Sequence, residues 1–301
     1  MRLRSPITWY GGKGLMTKKL LGLVPAHKIY VEAFGGGASL LFAKRPAKNE
    51  VYNDANKGLV NFMRLLRSGK DVERLLEMLE KTPYSRFEYE CCASEWQDIA
   101  DPVVRAWAWY TATWMNIVAG KGGGGGWRHS RAKSSATRFR SAIQRLQECS
   151  ERLRLVQVDC VDGVRLLETW DTPDTFFYLD PPYNPETRSG SRYEIDFSRE
   201  QHERLVQKLL GIHGMAMLSG YRGNGEAYAA LEKAGWLRTE WGVICHSIVA
   251  SRNTAPKPRR VEVVWRNYRL VRDRHLSFVD KECGKRLHVR RIRGGVEYGV
   301  V

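Results

Sequence analysis

The sequence predicts an α/β protein: a mainly parallel sheet covered by helices on both faces, interrupted by a helical insertion. Three observations carry that prediction. Short apolar segments with strand character alternate with helical patterns in the first sixth and the second half of the chain. Between residues 57 and 151 the strand signals vanish and only helical spacing remains. Two of the strand segments run directly into turns with special backbone chemistry, Gly35-Gly36-Gly37 and Asp180-Pro181-Pro182.

Taken in order, residues 15–24 read as a helix stopped by Pro25, and 29–33 as a buried strand. The glycine turn follows, 38–44 opens a helix, and 50–53 forms a second short strand ending at Asp54. Apolar residues then recur at helical spacing in 59–66, 72–79, 103–118 and 143–153. Trp107, Tyr110 and Trp114 fall at i, i+3 and i+7, which reads as helix core in preference to a stacking platform. The five glycines 122–126, between Lys121 and Trp127-Arg128-His129, cannot pack as regular structure and read as a mobile loop. Strand signals return at 153–158, 176–179, 216–218, 243–249 and 261–265. Among the helices between them, Ser198-Arg199-Glu200-Gln201 fits a capping box. The expected organisation is a discontinuous domain, 1–56 with 152–266, a helical insertion at 57–151, and a basic extension at 267–301.

The 301 residues suffice for a substantial core, and 49 Lys and Arg against 33 Asp and Glu give a formal charge of +16. That excess points to a polyanionic partner, nucleic acid first and an acidic membrane surface second. No run of about 18 apolar residues exists, and the start lacks an apolar signal core, so the chain is expected to be unexported and cytoplasmic. None of the six cysteines forms a CxxC pair or joins a histidine at zinc spacing. They read as reduced, buried small hydrophobes, and no metal is expected.

Three motifs carry chemistry. In Asp180-Pro181-Pro182-Tyr183 the prolines fix φ and donate no amide hydrogens, leaving the Pro181 carbonyl and the Asp180 carboxylate as acceptors for an exocyclic amino group. A base stacked on Tyr183 with its NH2 between those acceptors becomes a better nucleophile. Phe34-Gly35-Gly36-Gly37 occupies the strand-to-helix turn where an α/β sheet receives the adenosine half of a cofactor, although it is not a dinucleotide fingerprint. Asp54, about twenty residues on, suits a pair of ribose hydroxyls or, alternatively, a helix cap. Trp9-Tyr10-Gly11-Gly12-Lys13 can hold an amino-acid carboxylate, and Asp159 can accept from an adenine amino group.

In this order and spacing, the motifs from Trp9 to Tyr183 resemble the Dam-type (D12 class) DNA adenine methyltransferases in the alpha arrangement, phage-type members included. The resemblance runs roughly from residue 7 to 265. It implies a Rossmann-like sheet, S-adenosylmethionine as methyl donor, and Trp9, Lys13, Asp54 and Asp180 in positions that contact it. The implied reaction is site-specific methylation of adenine N6 in double-stranded DNA by base flipping, in a bacterium or in a phage-infected cell, with a cognate restriction endonuclease or as an orphan enzyme. Cytosine N4 transfer and a non-catalytic DNA-binding role are the rivals. The insertion becomes the target-recognition segment, with Lys121, Trp127, Arg128, Arg131, Lys133, Arg138 and Arg140, together with Arg188 and Arg192 after the catalytic turn, expected to face the duplex. The chain departs from the Dam branch in carrying the glycine run in place of the usual recognition loop, and in having Thr8 and Cys160 where Lys and Phe are common.

Overall fold

A computed structural model describes residues 3–67, 69–118, 125–131, 133–182, 197–221, 225–244, 259–270, 278–279, 286–292 and 295–300. Along the chain come α1 (Thr17–Leu21), β1 (Ile29–Glu32), α2 (Ser39–Ala43), β2 (Asn49–Asn53), α3 (Lys57–Arg67), α4 (Gly69–Lys81), α5 (Arg86–Glu95) and α6 (Pro102–Met115). There follow α7 (Ser135–Ile143), α8 (Leu146–Leu153), β3 (Val156–Asp159), α9 (Gly163–Trp170), β4 (Thr175–Leu179), α10 (Arg199–Leu210), β5 (Met215–Tyr221) and α11 (Gly225–Lys233). The last elements are β6 (Leu237–Ile244), β7 (Arg259–Arg266), β8 (Phe278–Val279), β9 (Arg286–Ile292) and β10 (Gly295–Val300). They fall into two compact units, one from Met1–Val24 and Gly35–Asp162, the other from Pro25–Phe34 and the described chain from Gly163 onward.

In the first unit β2 lies parallel to β3, with Asn53 opposite Asp159 at the strand ends. Helices α3, α6 and α7 supply an aromatic core in which Phe62 stacks on Tyr110 at 4.9 Å and Trp114 meets Phe139 edge-on. Tyr110 and Trp114 are buried as the helical spacing predicts, while Trp107 is half-buried and donates its indole N–H to Thr82 Oγ1 at 2.7 Å. Local chemistry fixes the helix starts. Asp101 accepts from the amides of Val103 and Val104 ahead of Pro102, and Ser85 and Ser134 cap α5 and α7. Glu50, at the other end of β2 from Asn53, is buried between Lys44 and Arg152, each 2.5 Å away.

The second unit is organised on β1, β4 and β5, which run parallel. Antiparallel β7 lies between β5 and β6, and β10, β9 and β8 continue beyond β6. All five residues of β4 are buried, the signature of a central parallel strand. The chain leaves β1 to build β2 and β3 before returning as β4, so β1 and β4 flank a topological switch point of a Rossmann-like sheet. Ser198 and Gln201 form the reciprocal capping box at α10.

Several expectations shift. The helix expected over 15–24 shrinks to α1, leaving Leu15 78% exposed. The helix expected over 143–153 is two helices with a break at Gln144 and Arg145, and the strand expected from 153 begins at Val156 because Leu153 still closes α8. Helix α5 escaped the periodicity argument because only Tyr89 and Cys92 of its residues are buried. The basic tail carries β9 and β10, with β10 paired to β6. Cys160 is exposed, contrary to the buried role expected of all cysteines, whereas burial pushes the Cys92 and Cys149 thiols up to about 12. Cys245 and Cys283 lie outside the described residues.

Candidate active site and cofactor turn

The glycine turn after β1 is built around Asp54. Its Oδ2 accepts from the Gly36 amide and its Oδ1 from the Asn56 amide, both at 2.8 Å. The Gly35 amide donates to the Asn53 carbonyl at 2.7 Å, and Tyr52 Oη donates to the Gly36 carbonyl at 2.8 Å. Glycine is demanded here first by the protein's own rings. A Cβ on Gly35 would lie 2.2 Å from the Tyr52 ring, and one on Gly36 2.6 Å from Trp9 Cδ1, at a backbone φ of +47°. Ala38 takes φ 53° at the end of the same turn, a strained conformation for a residue with a side chain. The glycines expected to admit a ligand here make room for Tyr52 and Trp9, a packing that the sequence pattern did not disclose.

Burial raises the Asp54 carboxyl above its ordinary range, against the amide bonds of Asn56 and Gly36. The capping role weighed for Asp54 belongs to Asn56, whose Oδ1 accepts from the Leu59 amide, and Asp54 braces Asn56 in turn. Asn53 emerges as a further organiser: its side chain donates to the Val161 carbonyl and accepts from the Val161 amide, at 3.0 and 2.9 Å. That clamp fixes the turn after β3, where Asp159 accepts from the Cys160 amide. In the N-terminal loop the Trp9 ring lies 6.1 Å from Trp109, Tyr10 is half-buried, and Lys13 is buried with its ammonium 3.3 Å from the Gly11 carbonyl. The structure therefore joins Trp9, Gly36, Gly37 and Asp54 in direct contact or hydrogen bonding.

In the second unit Asp180 follows the last residue of β4, and the Ala33 amide donates to the Tyr178 carbonyl, so Phe34 and Asp180 leave neighbouring strand tips. Asp180 is half-buried and Pro181 buried. The Phe34 ring meets Phe197 edge-on at 5.3 Å, and a Cβ on Gly163 would lie 2.7 Å from it. This is the place where open α/β sheets receive ligands. Tyr183, Lys121, Arg188 and Arg192 lie outside the described residues.

Of the residues expected to face DNA, Arg131, Lys133, Arg138 and Arg140 are exposed, the last two on α7. Trp127 departs from the mobile aromatic that was expected. It pairs with Asn116 in an antiparallel bridge, and the Ile117 and Arg128 amides donate to the Gly126 and Met115 carbonyls. Tyr84 packs against its ring and donates to the Arg128 carbonyl at 2.6 Å. Burial lowers the Arg128 pKa, with Tyr84 opposing and Arg138 adding to the shift.

Among the described residues no group of His, Cys, Asp and Glu clusters to hold a metal, and no helix is long and apolar enough to cross a membrane. No individual curated protein matches the chain. The family model of the D12 class N6 adenine-specific DNA methyltransferases matches residues 9–240. With that match across both the glycine turn and the Asp-Pro-Pro turn, the chain belongs to the D12 class of N6 adenine-specific DNA methyltransferases, enzymes that carry a methyl group to adenine in DNA.

Proposed function

We propose that this enzyme draws its methyl group from S-adenosylmethionine and acts at specific sites of double-stranded DNA on an adenine flipped out of the stack. The residues present suit that donor. Asp54 is a half-buried carboxylate whose pKa desolvation raises, a strain that hydroxyl donors of a ribose relieve, and Lys13 is a buried cation suited to an amino-acid carboxylate. Trp9 and the glycine turn offer apolar surface and backbone beside Asp54, and Asp159 offers an acceptor for an amino group. When bound, S-adenosylmethionine supplies a methyl carbon open to in-line attack by nitrogen.

Asp180 carries the reading, because it stands at the tip of β4 on the switch-point side of the sheet with Pro181 buried behind it. Its carboxylate and the Pro181 carbonyl accept the two N–H groups of the adenine amine, aligning the nitrogen lone pair and stabilising the positive charge that grows on it during attack. Tyr183 stacks on the flipped base. The segment 57–151 is the target-recognition segment, with Arg131, Lys133, Arg138 and Arg140 on the phosphates. A duplex carrying 2-aminopurine at the target adenine tests the proposal. Fluorescence of that duplex should rise on binding in the presence of S-adenosylmethionine, and the unsubstituted duplex, whose target keeps its 6-amino group, should yield N6-methyladenine; labelled transfer to the unsubstituted duplex without any rise on the 2-aminopurine duplex would exclude flipping.

A further inference from the structure

Trp127 was expected to reach the DNA itself, yet its surroundings make it a support for other groups. The indole packs against Tyr84, the Trp127 backbone is fixed by its antiparallel bridge to Asn116, and the Gly126 amide donates to Tyr89 Oη at 3.1 Å. Two exposed side chains rest on it. The Arg86 guanidinium lies 5.2 Å from the ring centroid, and the His129 imidazole stacks at 5.6 Å with 21° between planes. Arg86 opens α5 directly after the Ser85 cap, so its backbone is fixed at a helix N-terminus. The next residue, Phe87, is 72% exposed, one of the few large apolar side chains left in solvent among the described residues. Arg131, Lys133, Arg138 and Arg140 are exposed nearby in sequence, and Arg138 contributes with Arg128 to the field at Tyr84.

A guanidinium stacked on an aromatic ring keeps its donor fork outward and has less side-chain freedom to lose on binding. The exposed phenyl ring of the next residue in sequence suits contact with bases or sugars. From these relations we infer that Arg86, held on Trp127, is a DNA-contacting residue of the recognition surface, with His129 on the same ring, Phe87 next in sequence and duplex DNA as the occupant. The charge of the surface and the DNA substrate of the family fit that occupant. The acceptor is either a phosphate oxygen or a guanine edge, both of which take the same donor fork. This inference rests on the duplex-DNA reading above.

The test compares the full-length protein with R86A, R86K, W127A and W127F. A phosphate contact predicts that R86A lowers the slope of log affinity against log salt by about 1, with R86K restoring it. A guanine-edge contact predicts that R86A changes which sites are methylated, with R86K failing to restore the pattern. In either case W127A should reproduce the R86A change and W127F should recover part of it. R86A with both the salt slope and the site pattern of the wild type would overturn the inference. Failure of the underlying reading is distinguishable: the wild-type protein would then methylate no duplex with S-adenosylmethionine, before any variant is compared.

Discussion

The Gly36 amide and the Asp54 carboxylate, 18 residues apart in sequence, meet at 2.8 Å and tie the glycine turn to the end of β2. The bond sets the turn's shape and opposes the rise that burial imposes on the carboxyl, which still stands above its ordinary range. A group whose folded pKa is raised favours protonation in the fold, so its charge costs stability once pH rises through that value. Ribose hydroxyls that bond to the charged form reverse that preference. Donor affinity should therefore fall as pH drops through the raised carboxylate range, and D54N should flatten this dependence. Calorimetric titration with S-adenosylmethionine across that range checks it.

Gly36→Ala probes the same bond from the other side. A side chain at φ +47° costs about 1–2 kcal/mol, and here it also strikes Trp9. We expect weaker donor binding with a lower unfolding midpoint, and little change in affinity for DNA measured without donor. Donor affinity equal to wild type would show that the turn tolerates the displaced indole.

Asp180→Ala should abolish methyl transfer while preserving the unfolding midpoint, since the half-buried carboxylate ends a strand and is no part of the apolar core. Single-turnover transfer with labelled donor measures it. Asp180→Asn should retain part of the base affinity but little of the rate, because an amide carries no charge to offset the one developing on nitrogen.

Glu50 lies far along β2 from Asn53, and its role is structural. Burial pushes its carboxyl up, but hydrogen bonds and charge from Arg152 and Lys44 outweigh that and hold it below the ordinary range. A lowered folded pKa gives stability that is present above the unfolded value and is lost as pH falls through the folded one. E50Q strands two partly or wholly buried cations, at a cost of about 3–5 kcal/mol. Urea unfolding at neutral pH should show that loss, and the gap between E50Q and wild type should close in acid.

Neutralising Arg138 and Arg140 together should lower the salt slope of DNA binding by about 2, if each releases one counterion at a phosphate. Both side chains are exposed on α7 while Phe139 between them is buried, so the double variant should fold normally. Filter binding over a salt series reads the slope directly, and a slope equal to wild type would move phosphate contact off α7.

Strand and helix order, the switch from strands to helices after β2, and the end of β4 just before Asp180 were legible from the sequence because they depend on local patterns. Alternation, helical spacing, capping residues and proline geometry act over a few residues, and the box at Ser198 and Gln201 is present as expected. Tertiary structure alone decided the partners. Nothing near Gly36 announces that Trp9 fills the space beside it, nor does anything near Asn53 announce its clamp on Val161, 108 residues away. The same holds for Trp127, whose glycine-rich neighbourhood suggests freedom while Tyr84 and Arg86 pack on its ring and Asn116 pairs with its backbone. Composition and spacing determine which groups a chain offers, whereas close packing between distant segments determines which of them are fixed and which remain exposed to meet a ligand.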